Sequence, residues 1–62
     1  MTIYTCTNDR FCNNDENFDS VEDFRAYCVA CFNAEPSIEP RNHADEWIDT
    51  DTGEVVLRAV EQ

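Results

Sequence analysis

Residues Ser20–Asn33 read SVEDFRAYCVACFN, and the reading of this stretch decides the fold. Val21, Phe24, Cys28 and Cys31 recur at spacings of 3, 4 and 3, with Tyr27 and Phe32 broadening the stripe. That is the period of a helix with one inward face. Ser20 with Asp23, or Asp19 with Glu22, has capping-box spacing, and acids there suit the positive end of the helix dipole. The spacing predicts a helix over Ser20–Asn33, with Pro36 barring any continuation.

On the N-terminal side, Ile3 and Tyr4 between threonines predict a strand over Thr2–Cys6, and the Asn/Asp-rich Thr7–Asp15 reads as a turn or knuckle. On the C-terminal side, Pro36–Asn42 (PSIEPRN) reads as an extended connector and ADEW (Ala44–Trp47) as one helical turn. Ile48–Thr50 and Glu54–Ala59 then form a hairpin about Asp51-Thr52-Gly53, where the only glycine supplies a positive φ. The adjacent Val55, Val56 and Leu57 predict a strand buried partly on both faces. The expectation is an α+β fold in a single domain, residues 1–62: one central helix on a short antiparallel sheet made of the N-terminal strand and the C-terminal hairpin.

A domain of 62 residues with a formal charge of -10 needs help to stay compact. A core of that size supplies no more than about 3–5 kcal/mol, and like charges oppose collapse. The four cysteines, Cys6-x5-Cys12-x15-Cys28-x2-Cys31, are the candidate help. A CxxC on a helix puts both sulfurs on one side, and two close pairs suit a tetrahedral structural zinc site. The expected zinc ligands are Cys6, Cys12, Cys28 and Cys31, with His43 as the substitute for one of them. The first pair departs from the usual knuckle, with five intervening residues and no glycine. Two disulfides, or thiols buried as small hydrophobes, are the alternatives. A redox CxxC is disfavoured, because it needs a strand leading into the motif. MTIYTCTNDR has no basic or apolar leader segment, so the expected location is the cytoplasm, where thiols stay reduced.

Fourteen acids face four basic residues, all of them arginine: Arg10, Arg25, Arg41 and Arg58. Direct nucleic-acid binding requires clustered cations, and an anionic membrane disfavours the same surface. DTDTG (Asp49–Gly53) fails as a calcium loop, because its glycine stands fifth and its twelfth residue is Val60 rather than Glu. No nucleophile–base arrangement, phosphate loop or HExxH suggests an enzyme. Phe24 and Phe32 are assigned to the core, while Trp47 and Phe11 are left as either core or exposed anchors.

The acids form two groups: Asp9, Asp15, Glu16, Asp19, Glu22 and Asp23, then Asp45, Glu46, Asp49, Asp51 and Glu54. A charge of -10 exceeds the magnitude of about 2–8 that solubility asks of a small domain. In length, acidity and absence of lysine the chain resembles small acidic phage-encoded inhibitors, among them anti-CRISPR and anti-restriction nucleic-acid mimics. The resemblance implies a non-enzymatic protein that blocks the basic nucleic-acid-binding surface of a partner. On clustering alone, the acids expected to meet that partner are Asp15, Glu16, Asp19, Glu22, Asp23, Asp49 and Asp51. The alternative is a small zinc-finger adaptor from a halophile, in which the acidity is an adaptation to salt.

Overall fold

Ser20 opens the helix and Asn33 closes it. In the computed structural model, which describes residues 1–12, 16–42 and 45–62, helix α1 spans Val21–Phe32. Ser20 is extended and its Oγ accepts the Asp23 backbone N–H at 3.1 Å. Asn33 adopts the left-handed conformation (φ 56°) and donates its N–H to the Val29 carbonyl at 2.9 Å. Both ends are therefore satisfied by the residues that flank the periodic stretch.

The strands are β1 (Thr2–Cys6), β2 (Asn17–Phe18), β3 (Ile38–Pro40), β4 (Glu46–Asp49) and β5 (Val55–Glu61). They form one five-stranded antiparallel sheet in the order β2-β1-β5-β4-β3. The expected three strands form its centre, with β1 against β5 and the β4–β5 hairpin turning through Gly53 at φ 75°. The outer strands revise the sequence reading. Part of the expected connector is β3, which pairs Ile38 with Asp49 and Pro40 with Trp47. Glu46 and Trp47, read as part of a helical turn, are instead the first residues of β4. Cross-strand contacts explain this choice: Trp47 lies edge-on to Tyr4 with centroids 5.2 Å apart, and Glu46 faces Arg58 on β5.

Both edges of the sheet are blunted. β2 is only two residues long. On β3, Pro40 has no N–H to offer, and the Ile38 carbonyl accepts from Arg25 Nη2 at 3.3 Å.

The core comprises Cys6, Cys12, Phe18, Phe24, Cys28, Ile38, Val56 and Leu57. Phe24 is fully buried, with Phe18 and Phe11 edge-on to it at 5.4 and 6.2 Å. Val56 and Leu57 are both buried although they are neighbours in a strand. The cause is a register shift against β4, where Leu57 faces Trp47 but Val55 faces Ile48. This bulge breaks the alternation at Val56, so both side chains join one core without a second covered face. No helix among the described residues is long and apolar enough to cross a membrane.

Candidate partner-binding surface

The four cysteines do not come together in one cluster. Cys6 and Cys12 form a disulfide that closes the turn after β1, and both are buried in the core. Cys28 is a free thiol in the same core, and Cys31 is free and exposed. Burial pushes the Cys28 thiol pKa up, with a further push from neighbouring Cys31, so Cys28 is held as the neutral thiol of a small hydrophobe. No group of three or more His, Cys, Asp or Glu side chains among the described residues could hold a metal ion. His43, the expected substitute ligand, lies outside the described residues.

Every arginine is tied to an acid. Arg25 meets Glu35 at 2.9 Å, and Arg10 pairs with Asp49. Arg41 and Arg58 converge on the two oxygens of Glu46 at 3.4 and 2.9 Å. The hydrogen bond from Arg58 outweighs the opposing desolvation and, with the lesser effects of the Arg58 and Arg41 charges, holds the Glu46 carboxyl below the usual range. Three carboxylates thus absorb all four arginines.

Most of the remaining acids face solvent. Glu16, Asp19, Glu22, Asp23 and Asp51, all expected to meet a partner, are exposed, and Asp15 lies outside the described residues. Asp49 is withdrawn from that surface. It is 3% exposed; Oδ2 accepts from Arg10 and Oδ1 accepts the Asp51 N–H at 2.9 Å, which sets the β4–β5 turn.

Tertiary contacts unite what the sequence separates into two acidic groups. In the turn after β1, Asn8 Nδ2 donates to Glu54 Oε2 at 2.9 Å, Arg10 reaches Asp49, and Phe11 packs on Phe24 in the first turn of α1. The turn therefore bridges the hairpin to the start of the helix. The three linked segments carry exposed acids: Asp9 on the turn, Asp51 and Glu54 on the hairpin, and Glu22 and Asp23 in the first turn of α1. Asp9 and Glu54 were legible as members of clusters, but their junction rests on the Asn8 side chain, which carries no sequence signal of its own.

The aromatic residues are also redistributed. Trp47 and Phe11, left open above, are half-buried against the core. Phe32, assigned to the core, is 50% exposed, and Cys31 beside it is exposed as well. The 3-4-3 stripe continues to the end of α1, but only Phe24 and Cys28 are buried. The residues of the last turn, Val29 to Phe32, are exposed. Tyr27 bridges the two regions, touching Phe18 at 5.3 Å and Phe32 at 6.4 Å. Its pKa is raised, first by desolvation and then by a hydrogen bond with Cys31.

An open cleft of about 430 Å³ lies beside β3, lined by Arg25, Glu35, Pro36, Ser37 and Thr50 among others. Arg25, the one cation among its described lining residues, is already committed to Glu35 and to the carbonyls of Pro36 and Ile38. The chain matches no family model, no curated protein and no solved structure.

Proposed function

We propose that this chain is a non-enzymatic acidic binding protein that occupies the basic, nucleic-acid-binding surface of a partner protein. The observation that carries the reading is the internal pairing of all four arginines. Exposed carboxylates on the segments that this turn links are left as the outward charge, and each arginine is already offset by an acid before a cationic surface approaches. Backbone caps, the Asn8–Glu54 bond and the Cys6–Cys12 bond fix the elements that carry those acids. Carboxylates held on a rigid frame lose little entropy on binding, whereas a flexible acidic tail would have to be ordered. The partner gains steering that is fast and salt-sensitive.

Capture from native host extract at low ionic strength, with and without competing duplex DNA, tests the reading. The expected capture is a nucleic-acid-binding protein that is released both by duplex DNA and by rising salt. A captured partner that duplex DNA fails to displace overturns it.

A further inference from the structure

Helix α1 changes character along its length. Its first turn carries Glu22 and Asp23, yet from Ala26 to Ala34 the sequence AYCVACFNA has no charged residue. Ala26, Val29, Ala30, Cys31 and Phe32 are all exposed, Val29 by 48% and Phe32 by 50%. In a chain with 29% charged residues, this is an uncharged apolar helix face left in water. Phe32 is not a loose side chain, because its ring rests edge-on against Tyr27, which itself rests on Phe18. Ala26 and Ala30 flank Val29 on the helix surface, and small residues there let a second helix approach closely.

Charge decides what covers this face. A second copy would bring -10 against -10, with no arginine left unpaired to offset the repulsion. A cationic amphipathic helix gains at both levels. Its apolar stripe buries Val29 and Phe32, and its flanking Lys/Arg meet the exposed Glu22 and Asp23 in the first turn of α1. We propose that the C-terminal half of α1 docks a cationic amphipathic helix of the partner protein, with Phe32 and Val29 as the apolar anchors. This rests on the reading that the partner surface is basic, and adds that it presents an apolar stripe, which a nucleic acid does not.

The test uses fluorescence anisotropy of a labelled helical peptide with leucines on one face and lysines on the other, against an oligolysine of equal charge. The intact chain binds the amphipathic peptide more tightly than oligolysine. Phe32→Ala and Val29→Ala each weaken that binding by roughly 10-fold or more, as anchor truncation does, and leave oligolysine binding unchanged. The amphipathic peptide also slows alkylation of the exposed Cys31 thiol. Variants that bind both peptides as the parent does overturn the docking face and leave the basic-partner reading standing. If the amphipathic peptide binds no more tightly than oligolysine, the docking face is overturned; if neither peptide binds, both readings are overturned. A dimer in sedimentation that Phe32→Asp dissolves, or adsorption to uncharged phosphatidylcholine vesicles lost in the same variant, replaces the proposed occupant with a second copy or a lipid surface.

Discussion

Replacing Asp49 with alanine tests whether this carboxylate holds the scaffold or belongs to the acidic surface. Asp49 is 3% exposed and uses both oxygens, one on Arg10 and one on the Asp51 N–H. Hydrogen bonds to a charged partner contribute about 1.5–3 kcal/mol. Breaking a fully buried ion pair costs about 3–5 kcal/mol, because it strands a buried charge. That upper range does not apply, since the Arg10 side chain is 50% exposed and water can take over its guanidinium. Released Arg10 also leaves its place 4.5 Å over the Phe11 ring, a further contact of about 0.5–1 kcal/mol. The expected loss for Asp49→Ala is about 2 kcal/mol, read from urea unfolding followed by circular dichroism. For a domain of this size that corresponds to a fall in Tm of about 8–16 °C. Asp49→Asn keeps an acceptor for the Asp51 N–H and loses about half as much. Asp51→Asn, at an exposed position, stays within about 0.5 kcal/mol of the parent. If Asp49→Ala proves as mild as Asp51→Asn, Asp49 carries no structural burden and the assignment is wrong.

The two phenylalanines of α1 should part company: Phe24→Ala removes a fully buried ring and costs about 3–5 kcal/mol, enough to unfold the domain, whereas Phe32→Ala should cost well under about 1.5 kcal/mol in the same urea titration. Reduction should destabilise the chain, since opening the short loop closed by Cys6 and Cys12 returns about 2 kcal/mol of chain entropy to the unfolded state; a melting temperature unmoved by dithiothreitol but lowered by a chelator would restore the zinc expectation. Glu46, whose folded pKa is depressed, contributes stability that is present above its unfolded value and lost as pH falls through the folded one. Glu46→Gln should therefore flatten the acid limb of the stability profile, and an unchanged limb would show that the Arg41 and Arg58 contacts contribute nothing. Cys28 works in the opposite sense: its raised pKa keeps the folded thiol neutral, so stability falls as pH rises above the unfolded thiol value of about 8.5. Cys28 should also resist alkylation under conditions where Cys31 reacts at once, and equal reactivity of the two thiols would contradict the burial.

What the sequence determined by itself is what a few adjacent residues can satisfy among themselves. Ser20 caps its own helix with an oxygen three residues from the N–H it bonds, and Asn33 ends that helix by turning left-handed. Thr2–Cys6 is extended because of its own side chains, and Gly53 turns the hairpin because it alone accepts φ 75° without strain. These hydrogen bonds and torsions have partners close by in the chain, so they are written in local spacing. The rest needs partners that only packing supplies. A two-residue β2 and a β3 ending in proline carry no strand signal until β1 and β4 lie beside them. The helical period marks Cys31 and Phe32 as inward, but a stripe is buried only where another element covers it, and at the end of α1 both side chains are exposed. Likewise, no count of acids distinguishes Asp49 from Asp51. Arg10, 39 residues away, neutralises the first and makes it part of the frame, and the second remains on the acidic surface, with no arginine paired to it among the described residues. Burial and charge pairing are sums over neighbours in space, so the division between frame and surface belongs to the tertiary structure.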